Sequence, residues 1–595
     1  MSGNGSNSGL PPQQGAGGSP PGERRYRRGR RLEDQKSSRL HRLIELGIAL
    51  SAERDHDRLL ERILLEAKDL ANSDGGTLYL VTEDRKLAFA ILRNDTLNTA
   101  MGGTTGVAIP LPPVNLYNPE TGQPNYNNVA SSCALGGKTI SIDDAYTAEG
   151  YDFSGTKKFD QGTGYRSKSF LNVPMKNYQG EVIAVLQLIN ARDDDGRVVP
   201  FDIGLQPIIE ALASQAAVAI DNQQLISAQR DLLDSMIKVI ARAIDAKSPY
   251  TGGHCERVPV IAKMLAEAGC AEDSGPFADY QLNDDQWYEL HLAAWLHDCG
   301  KVTTPEYVVD KATKLETIWD RIHEVRTRFE VLRRDAEIAY LKARLAGGDE
   351  ASLGEAYAAR CAELEEQFAF IAEANIGGEF MAPEKISRLR EIGAQTFMRT
   401  FDRTLGVSWA ERQRLADKPP PPAPAEERLL EDRPDHLKDI YNLGELYNLS
   451  IQRGTLTEEE RKVINDHIVI TQEMLDQLPF PRHLKRVPVI AGNHHEKMDG
   501  SGYPRGLKGA EMGVSERIMA VADIFEALTA ADRPYKQPKK LSEAIRILSF
   551  MKKDNHIDGD IFELFLRSGA YKAYAERFLR PEQIDEVDIS SYLAG

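Results

Sequence analysis

The chain has 595 residues, a formal charge of -17 and five scattered cysteines, Cys133, Cys255, Cys270, Cys299 and Cys361. A length far above the usual ~100 to 200 residues per domain excludes a small stapled scaffold and calls for two or three cores. The acidic balance argues against non-specific nucleic-acid binding, and cysteines without a CxxC pair predict reduced thiols.

No signal-peptide apolar region and no run of about 20 apolar residues is present, so the expected protein is cytoplasmic, with no transmembrane association and no stable nucleic-acid partner. Residues 1–36 form a Gly/Ser/Pro-rich leader ending in the basic stretch RRYRRGRR (Arg24 to Arg31). Such a segment reads as a disordered, solvated basic tail, with contact to anionic lipid or nucleic acid as the alternative. From about Ser37 the spacing of apolar residues turns helical in LHRLIELGIALSAERDHDRLLERILLEAKDL. Alternating stretches follow, GGTLYLVTEDRKLAFAILRND and VIAVLQLINARD, which predict an antiparallel sheet flanked by helices.

Residues 37–225 thereby resemble a GAF sensor domain of α+β class. The segment KKFDQGTGYRSKSFLNVPMKNYQGEVIAVLQLIN is similar to GAF domains that bind cyclic nucleotides. That resemblance implies a pocket beside Phe159, Asp160, Thr163 and Arg166. Its ligand would be an unidentified small molecule, a cyclic nucleotide among the candidates; a GAF fold used for dimerisation is the other reading. Downstream, residues 226–245 read as a connecting signalling helix. There Leu225, Leu232, Met236 and Ile240 keep one apolar seam, which predicts a homodimer.

Residues 246–595 carry the chemistry. YTGGHCERV supplies His254, AAWLHDCGK supplies His297, Asp298 and Lys301, INDHIVI supplies His467, NHHEKMDGSGYP supplies His494 and His495, and IMAVADIFEALT places Asp523 in an apolar helix. Ionisable residues inside apolar helices are costly unless paired or metal-bound. A mixed imidazole and carboxylate set suits manganese, iron or zinc, and this one is too large for one ion.

HHEKMDGSGYP, with His494, His495, Glu496, Asp499, Gly500, Gly502, Tyr503 and Pro504, resembles the HD-GYP family of cyclic-di-GMP phosphodiesterases within the HD superfamily of metal phosphohydrolases. The resemblance implies an all-α domain with two divalent ions, iron or manganese. His254, His297, Asp298 and Asp523 would hold one ion, and Asp298 would bridge to a second on His467, His494 and His495. Some relatives bind a third ion through a Glu at the position of Tyr250, so two are expected here. Asp298 and Lys301 are the expected catalytic residues, and Tyr503, Pro504, Arg533 and Lys536 the expected substrate contacts.

The middle histidine of that pattern normally follows the HD pair closely. Counting eleven residues from Leu456 reaches His467, whereas His323 falls three short of the same count from Leu315. Residues 317–452 therefore read as an insertion: a helical hairpin turning at GGDE, then a polyproline-like linker, DKPPPPAPAEERLLEDRP. The expected function is hydrolysis of cyclic-di-GMP to pGpG, and onward to GMP, under GAF control. The alternatives are another cyclic dinucleotide as substrate, or a receptor that binds it with little turnover.

Overall fold

The computed structural model describes residues 42, 44–247, 253–417, 419–432, 444–531 and 538–593, without the side chains of 414 and 417. The expected basic tail, Tyr250, Arg533 and Lys536 lie outside the described residues. Two compact units divide between Leu232 and Leu233.

In the first unit, helix α1 (44–52) leads into α2 (His56–Ala71). Asp55 opens α2 by accepting the Arg58 N–H at 2.9 Å, satisfying a donor that a helix start leaves free. Strands β1 (Ser73–Val81), β2 (Lys86–Asn94), β3 (Thr99–Gly102), β4 (Val114–Asn115), β5 (Ile140–Ile142), β6 (Phe170–Lys176), β7 (Val182–Arg192) and β8 (Val198–Val199) form one antiparallel sheet. Its order is β3-β2-β1-β7-β6-β5, with β4 on β2 and β8 on β7. Helices α3 (Val129–Gly136) and α4 (Ser154–Thr163) interrupt the strands, and α5 (Gln206–Lys247) follows them.

One sheet face forms a continuous core with α1, α2 and α5 through Leu50, Leu64, Leu188, Ile209 and Ala216. Gly76 lets α2 lie this close, since a Cβ there would sit 2.7 Å from Leu64 Cδ1. The opposite face is divided. One apolar cluster surrounds Tyr79, Cys133 and Val185, another Phe153 and Phe170. Between them a polar row crosses the sheet: Tyr79 Oη donates to Gln187 Oε1 at 3.2 Å, and Gln187 Nε2 donates to Asn172 Oδ1 at 2.8 Å.

α5 is one 42-residue helix, so the connecting segment expected over 226–245 is the continuation of the sensor's own last helix. Pro207 sits in its first turn, where a missing N–H costs nothing, and no glycine follows to break it. Its early residues pack in the first core and Ile237 and Ile244 in the second. The expected seam residues Leu225, Leu232, Met236 and Ile240 are all exposed.

The second unit is built on α6 (His254–Cys270), α7 (Asp284–Leu296) and short α8 (Glu306–Val309). After the insertion come α14 (Glu458–Asp476), α15 (Val487–Gly492), α16 (Val514–Thr529), α17 (Leu541–Lys553), α18 (Gly559–Arg567) and α19 (Ala570–Phe578). Val258, Leu265, Leu292, Val487, Val521, Phe525 and Phe565 join these helices in one core.

The insertion contains α9 (Ile322–Leu345), α10 (Glu350–Ile376), α11 (Pro383–Gly393), β9 (Thr396–Arg399), α12 (Trp409–Asp417), β10 (Ala425–Arg428) and α13 (Glu445–Leu449). The GGDE letters fall at the α9–α10 turn, with Asp349 capping α10 at the Ser352 N–H. Two expectations are corrected. The insertion is not purely helical, and its proline-rich stretch does not run on as a linker: Ala425–Arg428 pairs with Thr396–Arg399, and Leu429 and Leu430 are fully buried. The five prolines, 419–422 and 424, end before β10, where backbone N–H groups again become available for pairing.

Leu429 and Leu430 join Val325, Phe329, Leu364, Ile371 and Leu389 in a core of the insertion's own. Leu429→Ala should therefore cost about 2 to 4 kcal/mol by the general price of truncating a buried leucine. Urea unfolding followed by tryptophan fluorescence checks this; a surface linker residue would leave the midpoint unchanged.

Candidate metal centre

Five segments deliver the site. His254 opens α6, His297 ends α7, Asp298 follows it, His467 lies within α14, His494 and His495 follow α15, and Asp523 lies within α16. The structure gathers them into two groups, His254, His297, Asp298 and Asp523, and His467, His494 and His495; within each, candidate ligand atoms lie within 4.8 Å of one another.

Asp298 faces both groups with different oxygens. Its Oδ2 is 3.1 Å from His254 Nε2 and 3.3 Å from His297 Nε2, whereas Oδ1 is 3.2 Å from His467 Nε2. Asp523 Oδ1 is 3.2 Å from His254 Nε2. Lys301 Nζ also donates to Asp298 Oδ2 at 2.6 Å.

The ring orientations follow from the backbone. The Nδ1–H of His297 donates to Ala294 O at 2.8 Å and that of His494 to Ala491 O at 2.6 Å; His467 Nδ1 does the same with Ile464 O. A carbonyl only accepts, so each proton sits on Nδ1 and each Nε2 lone pair points inward. His254 differs, since its Nδ1 meets Glu526, whose other oxygen accepts from Arg257 Nε at 2.7 Å. His495 stacks on Tyr503, centroids 4.8 Å apart.

Burial and charge separate the groups. Burial opposes a charge on His254, but Glu526, Asp298 and Asp523 outweigh it and raise its pKa well above the usual value. His297 is likewise opposed by burial yet lifted by Asp298 to about 9. Burial together with neighbouring imidazoles pushes His494 well down, and burial chiefly lowers His495 to about 4. Asp298 and Asp523 are held well below the carboxylate range, against burial, by Lys301 and the histidines.

These residues fit divalent ions. The buried atoms Asp298 Oδ1, His467 Nε2 and His494 Nε2 have no hydrogen-bond partner, and the Nε2 atoms of His254 and His297 face each other at 3.3 Å. Imidazole nitrogens and carboxylate oxygens that converge in this way need positive charge among them, which protons on His254 and His297 or a divalent ion would supply.

Close packing holds the frame. A Cβ on Gly300 would lie 2.0 Å from His467 O, and the Gly300 N–H donates to Thr471 Oγ1 at 2.9 Å, so α14 rests directly on the turn after Asp298. Gly502 is as constrained, 2.4 Å from Lys497 N by the same measure. Buried Glu496 accepts the N–H groups of Arg505, Gly506 and Leu507 at 2.7, 3.1 and 2.9 Å, which folds the segment after Pro504 back onto the histidine pair. Tyr503 and Pro504 are half-buried beside His495. His323 lies exposed on α9, stacked on Trp319.

Glu526 and Arg257 were missed at the sequence level, and Glu496 was named there only as a motif position. Glu526 carried a signal, because it lies three residues after Asp523 on the same apolar helix and thus on the same face.

In the sensor unit the four expected ligand residues do not converge. Asp160 is buried and accepts from Ser167 N, Ser167 Oγ and Tyr146 Oη at 2.8, 2.7 and 3.0 Å. Arg166 lies over the Tyr146 ring and pairs with Asp144 at 3.1 Å, Thr163 bonds back to Phe159 O, and the Phe159 ring is exposed. The unmatched polar atoms lie elsewhere: Asn172 Nδ2, in the row with Gln187 and Tyr79, and Ser131 Oγ on α3 are fully buried without a hydrogen-bond partner.

The fold and site thus define an α+β sensor domain followed by a helical domain with a two-part His/Asp cluster. Residues 55–220 match the GAF domain and residues 428–561 the HD domain, so the chain carries both. Over 132 residues it is 36% identical to the 3'3'-cGAMP-specific phosphodiesterase 1 of Vibrio cholerae, covering 22% of this chain and 30% of that protein. Over 131 residues it is 39% identical to a cyclic di-GMP phosphodiesterase of Thermotoga maritima, covering 22% and 35%. The chain thus spans about a third of the length of these relatives. The GAF domain of an Acinetobacter phosphoenolpyruvate-protein phosphotransferase aligns over 31% of this chain and 95% of its own, at 14% identity and a TM-score of 0.23. The HD match contains His467, His494, His495 and Asp523 but begins after Asp298, because the insertion separates the first ligands from the rest.

Glu526→Gln keeps the shape of a buried side chain while removing the charge that supports His254. Metal affinity should fall by about 10- to 100-fold, the usual effect of losing a carboxylate behind a ligating histidine. Calorimetric titration of manganese into chelator-treated protein reads this directly, and Glu526→Asp should recover part of the loss.

Proposed function

We propose that the chain is a metal-dependent phosphodiesterase that opens cyclic di-GMP to pGpG, regulated through its GAF domain. The observation that carries this reading is the pair of ligand groups meeting at Asp298, with one carboxylate oxygen turned to each. His254, His297, Asp298 and Asp523 would hold one divalent ion, iron or manganese, and His467, His494, His495 and Asp298 a second. When bound, such ions would supply a lowered pKa to bound water and neutralisation of phosphate oxygens.

The chain's own groups supply the rest. Lys301, partly exposed and fixed by Asp298, presents an ammonium at the rim to draw a phosphodiester anion into an otherwise acidic protein. Tyr503 is kept protonated, its pKa raised by burial and then by Asp523 and Asp298, so its hydroxyl is a hydrogen-bond donor toward a bound nucleotide. Its ring also fixes the plane of His495. Arg533 and Lys536, outside the described residues, are proposed as further phosphate contacts. The relatives' names favour 3',3'-cGAMP as the second candidate substrate.

Effector binding is assigned to the first unit. Asn172 Nδ2 and Ser131 Oγ are the buried groups there that a small polar ligand would satisfy. The exposed seam of α5 is proposed to pair two copies of the chain, at positions whose sevenfold and fourfold spacing keeps one stripe.

Purified, metal-loaded protein should convert cyclic di-GMP to pGpG, followed by chromatography, and Asp298→Asn should lose turnover at least about 1,000-fold, as expected where one oxygen pair serves both ions. Turnover within tenfold of wild type in that variant would sink the assignment. Leu232→Asp with Met236→Lys places charges on the α5 stripe. Light scattering should then report a monomer in place of a dimer.

A further inference from the structure

The end of α5 touches two of the segments that carry ligands. Asp245 accepts the N–H of Gly253 at 3.1 Å, and Gly253 is the residue before His254. Lys247, in the last turn of the same helix, donates to Val302 O and lies 3.5 Å from Lys301 O. Both carbonyls belong to the 3-10 turn Cys299–Thr303, which begins immediately after Asp298.

A lysine in the last turn of a helix ordinarily serves that helix's own free carbonyls. Here its ammonium serves carbonyls 54 and 55 residues away. The turn that carries those carbonyls also bears on the site twice, through Lys301 on Asp298 and through Gly300 against His467 O. The helix end is itself fixed, because Ile237 and Ile244 are buried in the second unit's core.

Resting on the reading of the cluster as a metal centre, we propose that Asp245 and Lys247 are positioning residues through which α5 sets the geometry of both ligand groups. Asp245 fixes the start of α6 and so His254; Lys247 fixes the turn that aims Asp298 and supports α14 at His467. Because Asp298 is shared, a displacement of the helix end reaches both groups together. The last turn of α5 thus ends beside the segments that carry His254 and Asp298.

The test uses the full chain, stripped with chelator and titrated with manganese, with calorimetry for affinity and electron paramagnetic resonance for the coupling between ions. Lys247→Met retains the aliphatic stem and removes the donor. It should keep the wild-type circular dichroism and melting temperature, weaken manganese binding about 10-fold, and alter the resonance spectrum, an effect of the size seen when groups behind metal ligands are removed. Lys247→Arg should restore binding to within about threefold, and Asp245→Ala, which leaves the turn intact, should weaken it alone if Lys247→Met does not fold. Wild-type affinity and spectrum in both Lys247→Met and Asp245→Ala overturn the proposal. Failure of the wild-type protein to hydrolyse any cyclic dinucleotide bears on the proposed reaction and leaves these binding outcomes decisive for the positioning role.

Discussion

A carboxylate buried between two sets of imidazoles is the constraint from which the second domain is built. Asp298 is 2% exposed, yet its two oxygens face different histidines and a lysine. Burying that charge is unfavourable by several kcal/mol unless strong partners surround it. The partners come from α6, the end of α7, the turn at Lys301 and α14, so the cost is met only when these segments are in register. Gly300 and Gly502 mark where that register demands backbone contact closer than any side chain permits. The three histidines that bond their own preceding turn are oriented by helix geometry alone; His254, the first residue of α6, is oriented by Glu526 instead.

Much of this was legible in the sequence, for identifiable reasons. The ligand types were readable because an ionisable residue in an apolar helix is conspicuous, and residue counting favoured His467 over His323 because Thr457 and Glu460 form a capping box that marks where α14 begins. Glu526 was less visible, since one acidic residue in a helix resembles any other until its partner across the core is known. The end of the linker was misread for a similar reason. Four-residue strands such as β9 and β10 carry no periodicity of their own, and their pairing spans about thirty residues of intervening chain. In the sensor, the T-G-Y-R run was readable as a motif. Its Arg166 and the nearby Asp160 are nevertheless engaged within the loop, and the unpaired polar atoms lie on β6 and α3, where they alternate with apolar residues and look like ordinary strand and helix positions.

The insertion interrupts the ligand order without detaching the two halves. Lys311, almost fully buried, bonds Asn448 at 3.0 Å and Glu460 at 2.8 Å, joining the chain before the insertion to α13 and to the first turn of α14. Lys314 donates to Leu449 O at 3.1 Å and Ile451 O at 2.8 Å, and burial lowers its pKa to about 8. A lysine buried on carbonyls alone is tolerated because Leu449 O ends α13, where a helix leaves its last carbonyls without internal donors, and Ile451 O lies just beyond the cap. The hairpin and its small sheet are therefore anchored at the helix that carries His467, and the break in sequence between Asp298 and His467 is closed in space by these two lysines.

Charge distribution also sets the two groups apart. Glu526 is paired with Arg257 and Asp298 with Lys301, and Asp523 belongs only to the His254 group. The His254 group sets two carboxylates against the raised pKa values of His254 and His297, whereas the second group sets the lowered pKa values of His494 and His495 beside a single oxygen of Asp298. The second group is also the one whose outer residue, His495, is half-buried and stacked on Tyr503. The different polarity of the two groups is thus set by where the sequence places its aspartates.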